Sequence, residues 1–499
     1  MAIVYTKGGL ALESESSTPL HAQLLELIPD PKRVTRGTSI IAAHSQDYSH
    51  HAPHRPDVVV FAESTEDVVK VMQFANQHYI AVTPCGVLTS LEGHAIPIHS
   101  GISLDVTLMN RVLDVRPQDF LVRVQPGVTR TQLNRELRRY GLQFPLDPGA
   151  DASLGGMAAT NASGTTAVRH GVMRDQVLDL EVVLADGSVI HTGGMSAKSS
   201  AGYNMTGLFI GSEGTLGVIT ELTLRVYPIP ESTIAARAVF ADLAAASAAA
   251  YGIMQSGIPI GRIELVDEHT IFAVNHAKGT TYMEKPTLFL EFEGSNAAVQ
   301  EDVRIVEDIC SEVDRGAGGS GSGGNPGSTA SSASSANHGN GLIEFVFETE
   351  AEKRNLLWEA RHDAALAVIQ TAPQKRMKVT DVCVPLSDLP EAIRMARETI
   401  DSYGTYGAIL GHVGDGNYHV IFMVDPNDAE ELRIADEMND KIVQYALARG
   451  GTCTGEHGVG IGKMRYLAKE HPDTLPWMKG IKQLFDPSGI LNPGKLFAN

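Results

Sequence analysis

The sequence predicts an α+β protein built from two domains. Three observations carry this reading. A chain of 499 residues exceeds what one ordinary core holds. From about Arg55 to Val226 the chain runs in short β-branched stretches closed by glycine-rich turns. After Tyr227-Pro228-Ile229-Pro230 the pattern changes, and alanine-rich helical stretches alternate with strands.

In the first part, VVVFAES, FLVRVQPG, LEVVLADGSVIHTGG and GVITELTLRVYP read as strands, and Thr65 to Gln77 carries apolar residues at helical spacing. In the second part, Asp242 to Met254 and Asp428 to Ala448 read as helices, with TLFLEFEG, LIEFVFE and YHVIFMV as strands. The stretch Gly316 to Gly341, almost all glycine and serine, reads as a flexible insertion, because it has too little apolar surface to offset the cost of ordering.

Composition removes several function classes. A formal charge of −19 disfavours nucleic acid and anionic membrane, which both require clustered Lys and Arg. No run of 18 apolar residues spans a membrane. Cys85, Cys310, Cys383 and Cys453 are widely spaced with no C-x-x-C pair, which suits a reducing compartment. The first thirty residues carry Glu13, Glu15, Glu26 and Asp30 against Lys7, the reverse of an import presequence. The expectation is a cytosolic protein, or one whose presequence is absent from this chain.

Two glycine-rich stretches stand out: PCGVLTSLEGH, Pro84 to His94, and PLDPGADASLGGMAATNASGTTAVRHG, Pro145 to Gly171. Small residues in series let backbone N–H groups close on an anion. They equally permit tight packing, and composition leaves the two readings balanced. Neither stretch is a G-x-G-x-x-G opening a helix, so a dinucleotide-binding Rossmann unit is unsupported. GEHGVGIGKM, Gly455 to Met464, resembles a phosphate loop but has His457 where that loop needs Gly and Met464 where it needs Ser or Thr.

In GHVGDGNYHV, His412 and His419 lie seven residues apart around a glycine turn between two strand-like runs. TGEHGVG later brings Glu456 beside His457. Two imidazoles and one carboxylate suit zinc or manganese with positions left open for substrate. Adjacent Glu and His point in different directions, so one can be a ligand and the other a base. Of the eighteen histidines, those in HSQDYSHH, His44 to His51, read as surface and are assigned nothing.

The stretch DPGADASLGGMAATNASGTTAVRHGVMRDQVLDLEVVLADG, with GLFIGSEGTLGVIT, GHVGDGNYH, TGEHGVGIGK and the terminal NPGK, closely resembles the FAD-dependent D-2-hydroxy acid dehydrogenases, flavoproteins of the vanillyl-alcohol oxidase type. The likeness runs from about His50 to the end, the Gly/Ser insertion excepted, and is nearest to the D-lactate branch that uses cytochrome c. It implies a two-part FAD-binding domain at residues 50–230, after an N-terminal segment 1–49. It implies an α+β cap with a ferredoxin-like antiparallel sheet at 231–485, and a C-terminal segment 486–499 returning to the FAD site.

The same resemblance implies non-covalent FAD held by Pro84, Gly86, Thr89, Ser90, Leu91, Gly93, Pro148, Gly149, Asp151, Leu154, Gly155, Ser163, Gly164 and Thr166, with Gly214, Val218, Ile219 and Asn492 completing the pocket. The family usually has Gly where this chain has Leu88. Leucine resists a positive φ, so this turn is expected to differ in shape. His412, His419 and Glu456 resemble the family's ligands for a divalent metal, Zn or Mn, and His457 its catalytic base. Arg361 looks like the substrate-carboxylate anchor, with Lys378 supporting it. The bland alternative for Arg361 is a helix-surface cation paired with Glu359 or Asp363.

The activity implied is oxidation of D-lactate to pyruvate, with the metal lowering the hydroxyl pKa, His457 taking the proton, hydride passing to flavin N5 and electrons passing singly to an acceptor such as cytochrome c. A homodimer and a mitochondrial setting fit the same resemblance. Two alternatives stand: a D-2-hydroxyglutarate or glycolate dehydrogenase of the same family, and a flavin-free His/His/Glu metallohydrolase. The hydroxyglutarate branch typically places an Asn shortly after the second metal histidine. Here His419 is followed by Val-Ile-Phe-Met, which favours a small substrate.

Overall fold

The computed structural model describes residues 19–313 and 341–497. The N-terminal eighteen residues and nearly all of the Gly/Ser stretch expected to be flexible lie outside the described residues.

The expected elements form with small shifts at their ends, and their caps explain the boundaries. The helix Thr65–His78 is capped by the Ser64 side chain, which accepts from the backbone N–H of Asp67. Asp242 and Asp428 do the same work for Leu243–Gln255 and Ala429–Ala448. The first part of the chain holds two larger sheets and a two-stranded ladder of Leu142–Gln143 with Tyr227–Pro228. Val58–Phe61 and Val82–Cys85 flank Ile102–Asp105 in parallel, with Val34–Thr35 added antiparallel at the edge. Val218–Arg225 is the central strand of a five-stranded antiparallel sheet, between Leu121–Val124 and Val177–Val183. Each larger sheet has its own apolar core.

The rest of the chain forms one antiparallel sheet of eight strands, broader than a ferredoxin-like unit. Helices cover both of its faces, and strand alternation sorts the side chains between them. Leu265, Ile409, Val420 and Phe422 point to the larger core under Leu243–Gln255, Leu389–Ser402 and Ala429–Ala448. Val266, Leu410 and Ile421 point the other way, toward Ala351–His362 and Ala364–Thr371. That second face looks onto the first domain, and a large cavity lies between them. Asn492, one residue after a strand-like bridge between Val82 and Leu491, brings the C-terminal segment back to the same cavity.

Candidate active site

A cavity of about 750 Å³ is lined from both parts of the chain. That is at the upper end for a small-molecule or cofactor site. Pro84, Gly86, Leu88, Thr89, Ser90 and Leu91 line it from one loop, and Pro148, Gly149, Asp151 and Gly155 from the second. Gly214, Val218, Ile219 and Asn492 complete that side. Arg361, His412, His419, Glu456 and His457 form the wall contributed by the cap.

In the glycine-rich stretches some glycines are required by packing and another is left open to the cavity. A side chain at Gly86 would strike the Ser153 hydroxyl at 2.3 Å, and one at Gly155 would strike Pro126 at 2.5 Å, so these positions need glycine for packing. Gly149 has nothing within 4 Å of where a side chain would begin, leaving its backbone open to the cavity.

Leu88 takes φ +60°. The turn therefore keeps the left-handed shape expected of glycine, and leucine bears the strain instead of reshaping the loop.

Other expected cofactor contacts stand behind the wall. Gly93 packs against Ile461 and His51, and Leu154 is wholly buried in the core of the five-stranded sheet. Thr166 hydrogen-bonds to Asp147, and Gly164 sits on Asp147 with no room for a side chain. Ser163 faces a different partner, donating to Glu456 Oε2 at 2.5 Å.

The hairpin Ala408–Gly411/Asn417–Val424 builds the histidine cluster, with Leu410 opposite His419. Gly416 reverses the chain at φ +87°, where a side chain would meet the Val384 carbonyl at 2.1 Å. His412 Nε2 lies 3.0 Å and His419 Nε2 3.4 Å from the same oxygen, Glu456 Oε1. The ring nitrogens on the far side each face a buried acid. His412 Nδ1 is 2.7 Å from Glu264, and His419 Nδ1 is 3.5 Å from Asp381. His457 stacks on His419 with ring centroids 4.9 Å apart, and its Nδ1 is 3.9 Å from Asp381.

This donor set fits a divalent cation. Two imidazole nitrogens and a carboxylate oxygen converge, each imidazole has an acid behind it, and that pairing orients metal-binding histidines. The electrostatics agree. Burial opposes charge on His412, yet Glu264 and Glu456 outweigh it and raise its pKa well above the usual histidine value. Burial likewise opposes charge on Glu456, and His412 and His419 hold its carboxyl well below the carboxylate range. The pocket recruits positive charge at this point. Burial pushes His457 down to about 4, so its imidazole is neutral at pH 7 and able to accept a proton.

Arg361 is buried at the end of Ala351–His362 and pairs with fully buried Glu264, which excludes the surface alternative on Glu359 or Asp363. Lys378 corrects a sequence expectation. Its neighbours Met377 and Val379 line the cavity, whereas Lys378 lies opposite Phe422 on the other face and pairs with Asp436. It does not meet Arg361. The stretch His44 to His51 is also not plain surface: His44 is buried, with Nε2 2.9 Å from Asp105.

Two acids escaped the sequence reading. Asp381 accepts the backbone N–H groups of Glu456 and His457 at 3.0 and 2.8 Å, and its other oxygen accepts Asn417 Nδ2. Glu264 bridges Arg361 and His412. A lone acid inside an apolar strand run, as in GRIELV and KVTDVCV, is the only signal either gives.

Residues 229–496 match the family of FAD linked oxidases, C-terminal domain, and residues 56–193 match the FAD binding domain family. A zebrafish (Danio rerio) protein named as a probable mitochondrial D-lactate dehydrogenase is 43% identical over 93% of this chain and 88% of its own length. The chain belongs to the FAD-dependent D-2-hydroxy acid dehydrogenases. Another member, the mitochondrial D-lactate dehydrogenase [cytochrome] of Arabidopsis thaliana, is 41% identical over 96% of this chain and 80% of that one. Among solved structures, p-cresol methylhydroxylase superposes with a TM-score of 0.76 at 17% identity over 96% of each chain. A 4-ethylphenol oxidase from Gulosibacter chungangensis gives 0.71 at 17% identity, over 97% of this chain and 98% of that one. The family and its vanillyl-alcohol oxidase type of fold make this an FAD-dependent oxidoreductase.

Proposed function

We propose that the protein oxidises D-lactate to pyruvate and passes the electrons to cytochrome c. One observation carries the reading: a carboxylate anchor, a neutral imidazole and a His/His/Glu set share one wall of the flavin cavity. Arg361 is the only lysine or arginine among the described residues lining that cavity, which suits a substrate with one carboxylate. Met377, Val379, Leu410 and Ile421 make the neighbouring wall apolar, which suits a methyl group over the second carboxylate of hydroxyglutarate. Relatives from Arabidopsis and Saccharomyces cerevisiae are named as mitochondrial D-lactate dehydrogenases [cytochrome], and this supports the acceptor and a mitochondrial setting.

In this mechanism Arg361 binds and orients the substrate carboxylate. His457 accepts the hydroxyl proton at a ring nitrogen, while Asp381 fixes the loop that carries it. His412, His419 and Glu456 would hold a divalent metal, Zn or Mn. FAD, once bound, supplies the hydride acceptor, and the metal supplies a Lewis acid for the substrate oxygens. Backbone amides of the two glycine-rich loops would meet the pyrophosphate of FAD, since among the described residues no Lys or Arg other than Arg361 lines the cavity.

Anaerobic bleaching of the flavin by D-lactate, L-lactate, glycolate and D-2-hydroxyglutarate, with and without a chelator, tests the proposal. D-lactate should bleach it fastest, and the chelator should abolish the response. A response to D-lactate that survives complete metal removal overturns the metal's part, and a preference for hydroxyglutarate overturns the substrate.

A further inference from the structure

We propose that Glu264 is a positioning residue that sets the spacing between the substrate's two handles, its carboxylate and its 2-hydroxyl. The inference rests on the reading of Arg361 as anchor and His412 as metal ligand. Glu264 lies in the strand Arg262–Val266, has no solvent exposure and is absent from the cavity wall. Its two oxygens are divided between two residues that do line the wall. Oε2 accepts from Arg361 Nη2, and Oε1 is 2.7 Å from His412 Nδ1.

These partners come from distant parts of the chain, a helix 97 residues away and a hairpin 148 residues away. Apolar packing seats the helix on the sheet, and Glu264 adds a direct polar tie between the two side chains themselves. Arg361 ends a helix that packs over the cap sheet, and His412 follows a strand within it. A buried carboxylate gripping both is the simplest device that holds a guanidinium and an imidazole at one separation.

The consequence is selectivity by length. A 2-hydroxy acid carries its hydroxyl one carbon from the carboxylate, and a 3-hydroxy acid carries it one carbon further. With both handles tied to one carboxylate, the site accepts the first spacing and rejects the second.

A structural ion pair without this role is the competing account, because removing one partner of a buried pair destabilises any fold. Two variants separate the accounts. Glu264→Gln keeps shape but grips only one partner as an acceptor, and Glu264→Asp keeps charge but draws the carboxylate back by one methylene. The flavin spectrum checks that each variant holds FAD, and thermal melting checks its fold. Zinc or manganese content is measured by mass spectrometry. Binding of propionate, which has only the carboxylate handle, is followed by perturbation of the flavin spectrum, and flavin reduction is measured with D-lactate and 3-hydroxybutyrate.

Both folded, yellow variants should bind propionate more weakly, and Glu264→Gln should lose about 10–100-fold in metal affinity. The ratio of D-lactate to 3-hydroxybutyrate reduction rates should fall at least tenfold in Glu264→Asp. Adding Arg361→Lys to Glu264→Gln should cost propionate binding no more than the worse single change. Unchanged propionate binding and an unchanged substrate ratio in folded variants overturn the proposal, as does a purely additive double variant. If wild-type flavin is not reduced by any 2-hydroxy acid, the parent reading fails. In that event the coupling between propionate and metal binding still decides whether Glu264 links the two residues.

Discussion

Asp381 Oδ2 accepts the backbone N–H of His457 at 2.8 Å while His457 Nδ1 stands 3.9 Å from the same oxygen. One buried carboxylate thus holds the main chain of the residue assigned as base and faces its ring. The N–H of Glu456 and the hydroxyl of Thr454 bond to that oxygen as well, at 3.0 and 2.7 Å. Burial works against this charge, and His457, Lys463 and His419 outweigh it, so the carboxyl titrates far below its ordinary range.

Replacing Asp381 with Asn should therefore loosen the Glu456-His457 turn without touching the flavin loops. FAD content should stay near one per chain, while metal affinity and flavin reduction fall together by about 10–100-fold. Flavin absorbance, metal analysis and stopped-flow reduction check this. A variant with normal reduction would mean that the backbone holds the turn unaided.

Arg361→Lys keeps the charge and loses the planar fork that meets Glu264 and, in the proposed role, the substrate carboxylate. Turnover efficiency on D-lactate should fall about 10²-fold through misorientation, with FAD retained. Wild-type behaviour across a substrate titration would remove Arg361 from the site.

The elements and the glycine turns were legible because their signals are local. Ser64, Asp242 and Asp428 announce helix starts within three residues of what they cap, and GHVGDGNYHV carries both ends of its hairpin. Glu264 and Asp381 were not legible because each works through partners distant in sequence, and a single acid in an apolar strand does not say what it meets. Lys378 shows a different failure. The period of two along a strand allows Lys378 or its neighbours to face the cavity, never both, and the apolar Met377 and Val379 take that side.

Leu88 at φ +60° occupies a conformation that costs a side-chain-bearing residue about 1–2 kcal/mol, against about 0.5–1 kcal/mol of extra chain entropy for glycine. Leu88→Gly should raise stability by about 0.5–1 kcal/mol and leave FAD bound. Chemical denaturation of the two holoproteins measures the difference. A loss of stability would show that leucine packing outweighs the backbone strain.

Asp147 joins the two parts of the chain, lying 3.4 Å from Arg262 and 3.3 Å from His362 of the cap. Burial pushes its carboxyl upward, but Arg262, His362 and Thr165 outweigh burial and hold it below the ordinary range. A depressed pKa stabilises the folded state fully above the unfolded value of about 4, and that contribution drains away as pH falls further. Denaturant melts from pH 6 down to pH 3 should show stability dropping below about pH 4, with a shallower drop in Asp147→Asn. Equal slopes in the two proteins would assign the acid sensitivity to other carboxylates.

The last prediction divides the work of Glu456 and His457. Glu456 Oε1 is the oxygen that both His412 and His419 approach, whereas His457 Nε2 stands 4.0 Å from it and its ring stacks on His419. Glu456→Gln should lose metal and activity together and keep FAD, since Gln can still accept from Ser163, the one loop contact Glu456 makes among the described residues. His457→Ala should keep metal and FAD and slow flavin reduction by about 10²–10⁴-fold, the range for a lost general base. The first variant leaves His412 without the carboxylate that helps hold its proton, so it should also tolerate acid differently from the second. Metal analysis beside stopped-flow reduction on the two proteins decides the matter. Should His457→Ala strip the metal while Glu456→Gln retains it, the ligand and the base exchange places.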